Sequence, residues 1–214
     1  MEDLLEGIAE TRLLAILRGS DSAATVAAAL ALMDEGVRYL EVSLNTADAL
    51  GVIETIVRMA DGRARIGAGT VLTASDALRV RDAGAEFVVT PAVTEGVDAA
   101  VAAGLPVVAG ALTPTECLAA LARGAVAVKL FPASAGGPEY LSALRDPLPN
   151  VPFIPVGGVG AHAAADYLSR GAVAVGVGSP LLGDAVHAGG DLSALRERAR
   201  RFVTTTAPST RSTE

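Results

Sequence analysis

Residues 113–132, TPTECLAALARGAVAVKLFP, contain most of one structural unit in chain order. Thr113-Pro114-Thr115-Glu116 is a capping box, in which a hydroxyl accepts from an early helix amide, a carboxylate reaches back, and proline stands where no amide is needed. An alanine- and leucine-rich segment follows, and Gly124 supplies a residue able to turn left-handed and end it. Ala125-Val126-Ala127-Val128 then runs apolar without alternation, as a strand does when helices cover both faces of its sheet. Helix, glycine and buried strand in that order belong to a parallel sheet built from βα units.

The pattern recurs along the chain. Short apolar runs stand at 13–17, 39–44, 65–68, 87–90, 106–109, 125–130, 153–156 and 172–177, separated by alanine-rich helical stretches. Gly36, Gly84, Gly104, Gly124 and Gly171 each precede one of them, and Thr73-Ala74-Ser75-Asp76 is a weaker capping box. Eight such units predict an α/β fold, a compact (β/α)8 barrel in a single domain over residues 1–203, in preference to a flavodoxin-like or Rossmann sheet. The tail 204–214 is rich in Thr and Ser, contains Pro208 and lacks apolar periodicity, so it is expected to be disordered.

Composition narrows the function. Half of the residues are apolar (51%) and 19% are charged, enough for a large core. A net charge of -7 and a pI near 4.9 argue against a nucleic-acid partner, which needs a dense basic face. The most apolar window, residues 23–33, is shorter than a membrane span, so no membrane segment is expected. Met1-Glu2-Asp3 is acidic where a secretory signal is basic, and the chain is expected in the cytoplasm. Cys117 has no cysteine partner and is expected to be a buried filler. His162 and His187 form no two-ligand spacing, so no protein-held metal is expected.

A (β/α)8 barrel forms its active site at the carboxyl ends of its strands. The polar and glycine residues expected there are Arg18, Glu41, Thr70, Thr90-Pro91, Lys129, Gly157-Gly158 and Gly178-Ser179. Lys129 carries the strongest signal, because it is the sole lysine among seventeen basic residues and interrupts an apolar strand. Desolvation favours the neutral form of an amine, whose lone pair attacks carbonyls, whereas a guanidinium stays protonated. The alternative is a strand-end lysine that reaches solvent or binds phosphate as a fixed charge. Glu41 is the second charge inside an apolar run, either a partner for Arg18 or Lys129 or a proton shuttle for imine formation. No second strand-end carboxylate accompanies it, which argues against a carboxylate-pair hydrolase.

The glycine loops 156–160 and 177–180 follow the last two strands, where barrels hold phosphate on backbone amides, although a lone Gly-Gly is more often a turn. Thr70, after Gly69, could hydrogen-bond a carboxylate. Phe131 could shield an imine or serve as packed core, and Arg18 could clamp substrate or pair with Glu41. A barrel epimerase or isomerase, or a sugar-phosphate sensor, would share the glycine loops. The first would need a metal or base pair the histidines do not supply, and the second would not need a buried lysine.

Together these residues resemble the 2-keto-3-deoxy-6-phosphogluconate and 2-keto-3-deoxy-6-phosphogalactonate aldolase family, from Leu13 to about Val203. The resemblance is carried by Ile16-Leu17-Arg18-Gly19, residues 41–46, residues 67–72, Thr90-Pro91, Lys129-Leu130-Phe131-Pro132, Val156-Gly157-Gly158-Val159 and Gly178-Ser179. It implies a class I aldolase with Lys129 as Schiff-base lysine and Glu41 as acid and base. It further implies a pyruvate-carboxylate site around Gly67 to Thr70 and Pro91, and phosphate on Gly157-Gly158 and Gly178-Ser179. The implied substrate is a phosphorylated keto-deoxy sugar acid, the implied assembly a homotrimer, and no cofactor is implied. Asn45 stands where the gluconate branch commonly has arginine. Val156 stands where that branch often has threonine, and Gly137-Pro138-Glu139-Tyr140 also resembles the galactonate branch. The expected substrate is therefore 2-keto-3-deoxy-6-phosphogalactonate, with the gluconate epimer or 4-hydroxy-2-oxoglutarate as alternatives. Val156 and Asn45 are placed near carbon 4 by the resemblance alone.

Overall fold

The computed structural model describes residues 4–208. After helix α1 (Leu4–Thr11), strands and helices alternate: β1 (Leu13–Leu17), α2 (Ser22–Asp34), β2 (Tyr39–Ser43), α3 (Ala49–Ala60), β3 (Arg65–Gly69), α4 (Ala74–Asp82) and β4 (Phe87–Val89). The second half continues with α5 (Glu95–Ala102), β5 (Val107–Ala111), α6 (Pro114–Ala122), β6 (Ala127–Leu130), α7 (Gly137–Arg145), β7 (Phe153–Pro155), α8 (Ala161–Ser169), β8 (Val175–Val177), α9 (Ser179–Leu182) and α10 (Leu192–Thr206). The strands lie parallel in the order β7-β6-β5-β4-β3-β2-β1-β8. A bridge from Val156 to Gly176, and the Val173 N–H donating to the Phe153 carbonyl (3.0 Å), join the two ends into a ring. This is the expected (β/α)8 barrel.

Local signals account for the units. Thr73 with Asp76 and Thr113 with Glu116 each form a complete capping box, so the first is as fully formed as the second. Gly36, Gly84, Gly104, Gly124 and Gly171 all adopt positive φ between helix and strand.

Strand residues sort by parity into two apolar clusters. On β1, Leu13, Ala15 and Leu17 pack outward among the helices, whereas Leu14 and Ile16 pack inside the ring. The inner cluster is closed at the amino end by Leu4 and Ile8 of α1, which join Tyr39 and Phe87. Phe87 is fully buried, and it fits because a Cβ on Gly67 would collide with its ring. Burying one such side chain stabilises the fold by about 1.5–3 kcal/mol.

Several boundaries differ from the sequence reading. The strand runs expected at 87–90, 125–130 and 172–177 shorten at one end, because their flanking residues turn into loops. The larger correction concerns the end of the barrel domain, expected at Val203. Helix α10 continues to Thr206, whose side chain is buried and whose Oγ1 donates to the carbonyls of Phe202 (3.0 Å) and Thr11 (3.3 Å). A threonine that satisfies its hydroxyl on the preceding turn can sit in a core without breaking the helix, so composition alone misplaced this boundary. The rest of the expected tail, residues 209–214, lies outside the described residues. No helix among the described residues is long and apolar enough to cross a membrane.

Candidate active site

Inward-facing positions recur every second residue, and each strand climbs from packing to chemistry. On β2 the series is Tyr39, Glu41, Ser43, and on β6 it is Ala127, Lys129, followed beyond the strand by Phe131. Glu41 and Lys129 meet across the ring, with Nζ 3.9 Å from Oε1 and the residues only 1% and 6% exposed. The gap is too long for a direct hydrogen bond. Glu41 Oε2 is buried without any hydrogen-bond partner. Burial raises the Glu41 carboxyl above its ordinary value, while Lys129 and then Arg18 pull it back down. The carboxyl therefore holds its proton more tightly than an exposed glutamate does, as a group that must give and take protons beside an amine requires.

The pair fits because its neighbours are small. In register beside Glu41 and Lys129 stand Gly67 and Gly110, and a Cβ at Gly69 would fall on the Glu41 carboxyl. Gly110 also lets the Pro91 backbone pack directly against β5. Thr90 fastens that contact, since its Oγ1 accepts from the Gly110 N–H (3.2 Å) and donates to the Ala92 carbonyl (2.8 Å). The Phe131 ring centroid lies 5.2 Å from Lys129 Nζ, so the aromatic flanks the amine.

The rest of the rim divides into three groups. Thr70 follows Gly69 with φ 62°, a left-handed conformation rare for a β-branched residue, and its Oγ1 is 2.9 Å from Ser43 Oγ. Arg18 and Asn45 are exposed on neighbouring loops, which are tied together where the Ala47 N–H donates to Gly19 O (3.0 Å) and Thr46 Oγ1 donates to Leu17 O (3.3 Å). Arg18 makes no ion pair with Glu41; its charge acts on that carboxyl through space. Val156 is buried against Gly176, and Gly157 and Gly158 follow with φ 98° and 76°. Their loop is pinned by the Ala133 N–H to Val156 O (2.8 Å) and the Ser134 N–H to Gly157 O (3.0 Å), and Tyr167 OH donates to Ala133 O (2.9 Å). Gly160 and Gly178 are the residues before helices α8 and α9, neither helix has a side-chain cap, and Ser179 opens the second.

Among residues singled out for other reasons, Cys117 is buried and its thiol is pushed up to about 11, chiefly by that burial, which keeps it an unreactive filler. Ser43, Gly110 and Tyr167 also shape the site, beyond the residues that its sequence motifs point to. Ser43 had a usable signal, two residues beyond Glu41 on the same strand face. Gly110 and Tyr167 act through contacts with distant segments, and nothing local announces them.

A closed (β/α)8 barrel with a buried amine and carboxyl at its mouth is the framework of an enzyme. The family model described as "Aldolase: KDPG and KHG aldolase" matches residues 5–197. Similar proteins include a probable 2-dehydro-3-deoxy-6-phosphogalactonate aldolase of Rhizobium meliloti strain 1021, 40% identical over 84% of this chain and 86% of that protein. The 2-dehydro-3-deoxy-6-phosphogalactonate aldolase of Escherichia coli K12 is 36% identical over 89% and 92%. A crystal structure of KDPG aldolase from Legionella pneumophila, with pyruvate captured at low pH as a covalent carbinolamine intermediate, superimposes with a TM-score of 0.85. It is 28% identical and aligned over 93% of this chain and 97% of that one. The chain belongs to the KDPG and KHG aldolase family and is a carbon–carbon lyase.

Proposed function

We propose that the protein is a class I aldolase that cleaves 2-keto-3-deoxy-6-phosphogalactonate to pyruvate and D-glyceraldehyde 3-phosphate through a Schiff base on Lys129. The observation that carries this reading is the burial of the sole lysine 3.9 Å from Glu41. Lys129 Nζ attacks carbon 2, and the resulting carbinolamine loses water to give the imine. Removal of the carbon-4 hydroxyl proton then breaks the bond between carbons 3 and 4, releasing the aldehyde and leaving an enamine. Protonation at carbon 3 and hydrolysis return pyruvate and the free amine. Glu41 is the group placed to carry these protons, since its second oxygen has no other partner and its carboxyl is raised. Phe131 shields the imine from water.

The remaining assignments follow the shape of the substrate. Gly67 to Thr70 and Pro91 hold the pyruvate carboxylate, and Arg18 and Asn45 face the sugar hydroxyls. Gly157, Gly158, Gly178 and Ser179 hold the phosphate, supported by consecutive left-handed glycines and two helix starts whose amides no side chain caps. The galactonate epimer is favoured by Val156, which offers no hydrogen bond near carbon 4. Assembly as a homotrimer is supported by the exposed apolar side chains Leu78, Val101 and Leu118 on the successive helices α4, α5 and α6.

Borohydride reduction in the presence of pyruvate tests the centre of this reading. The expected result is inactivation with a reduced three-carbon adduct on the Lys129 peptide, and no adduct or turnover in Lys129→Arg, whose guanidinium cannot form the imine. Full inactivation with an unmodified Lys129 peptide, or normal turnover in Lys129→Arg, overturns it.

A further inference from the structure

The hydroxyl of Ser43 stands between Thr70 and the Asn45 amide. It lies 2.9 Å from Thr70 Oγ1 and accepts from the Asn45 N–H at 3.3 Å. Ser43 is fully buried on β2, one inward position above Glu41. A hydroxyl has one proton to give and two lone pairs to receive with, whereas an amide N–H only gives. Ser43 must therefore accept from Asn45. Its own proton then has Thr70 Oγ1 as the acceptor in reach, and a buried donor takes the acceptor available to it.

The direction of that bond has a chemical consequence. With one lone pair of Thr70 Oγ1 engaged by Ser43, the Thr70 proton is turned away from Ser43. Thr70 is only half-buried, and its left-handed backbone is a conformation that must be held by its surroundings. A carboxylate can only accept. A hydroxyl presented proton-first binds it, and one presented lone-pair-first repels it.

We infer that Ser43 is a positioning residue that orients the Thr70 hydroxyl as a donor toward the substrate carboxylate. This rests on the reading of Thr70 as a carboxylate contact. Hydrogen bonds from the Asn45 amide through Ser43 and Thr70 run in one sense, and each strengthens the next. They also tie the Asn45 loop to the pyruvate end of the site.

Exchange of pyruvate methyl hydrogens with deuterated water, followed by NMR, isolates this half of the site, because it needs the imine and enamine but no aldehyde. The variants are Ser43→Ala, Thr70→Val and the double substitution. Losing one hydrogen bond to a charged group corresponds to roughly tenfold or more in binding. Ser43→Ala is expected to raise the half-saturating pyruvate concentration about tenfold, with the loss in that concentration rather than in the saturated rate. Thr70→Val should raise it at least as much, and the double variant should be no worse than Thr70→Val alone. An effect of Thr70→Val without one of Ser43→Ala overturns the inference and leaves the carboxylate reading intact. No effect of Thr70→Val removes the carboxylate reading and the inference with it. Multiplicative losses in the double variant mean that Ser43 acts independently of Thr70, and also overturn it.

Discussion

The floor and the mouth of the barrel are built from the same strands two residues apart, yet they do opposite things. At the floor, Tyr39 and Phe87 pack with ring centroids 6.5 Å apart, in one hydrophobic cluster with Leu4 and Ile8. One inward step higher, Tyr39 gives way to Glu41 and Ala127 to Lys129, and the interior holds a carboxyl oxygen with no partner. Burying an unpaired polar group costs stability, and burying a ring returns it. The floor therefore offsets the cost of the polar mouth, with Gly67 serving both by making room for Phe87 and standing in register beside Glu41.

The largest break in this contrast is expected from Glu41→Gln. Turnover should fall by roughly 10²–10⁴-fold, the range for losing a positioned acid or base, with the fold retained. Stability should respond in the opposite sense as pH rises. Burial raises the Glu41 carboxyl, so its stabilising contribution is full below the unfolded value and is lost as pH rises through the folded one. Urea denaturation of both proteins from acidic to neutral pH should show the wild type losing stability relative to the glutamine variant. A difference that does not change with pH, or moves the other way, refutes the raised carboxyl, and undiminished turnover reduces Glu41 to a structural partner.

Phe87→Ala probes the floor by itself. Emptying a fully buried ring site should cost about 3–5 kcal/mol in chemical denaturation. At a temperature where the variant remains folded, borohydride trapping on Lys129 should persist. Loss of trapping in the folded variant shows that floor and mouth are one unit and dissolves the comparison.

The smallest expected effect sharpens the description of the mouth. Val156→Thr adds a hydroxyl against Gly176 without changing size much, and should shift the ratio of kcat/KM for the galactonate over the gluconate epimer toward the gluconate form. One hydrogen bond is worth about 1–3 kcal/mol here, or roughly five-fold to over a hundred-fold. A wild type that favours the gluconate epimer, or a ratio unmoved by the substitution, removes Val156 from the account of specificity.

How much of this was legible beforehand depends on the kind of signal involved. Gly124 and Gly84 announced their turns, because a positive φ between helix and strand selects glycine locally. Lys129 and Glu41 stood out because a charge in an apolar run contradicts its surroundings whatever the fold. Thr206 reads as tail by composition because what buries it is tertiary packing, its hydroxyl bonding Phe202 on the preceding turn and reaching Thr11, far away in sequence.

By itself the sequence determined the number and order of the βα units, the capping boxes at Thr73 and Thr113, and the two ionisable residues inside the barrel. These follow from periodicity, glycine conformation and the cost of burying charge, which act over a few neighbouring residues. Only the tertiary structure decided that Glu41 and Lys129 face each other at 3.9 Å. It also decided that Gly69 and Gly110 make the space they occupy and that Ser43 meets Thr70. Ring closure brings Glu41 and Lys129 together from opposite strands, and the register of neighbouring parallel strands sets the glycines and Thr70 beside them, at sequence separations no local pattern encodes.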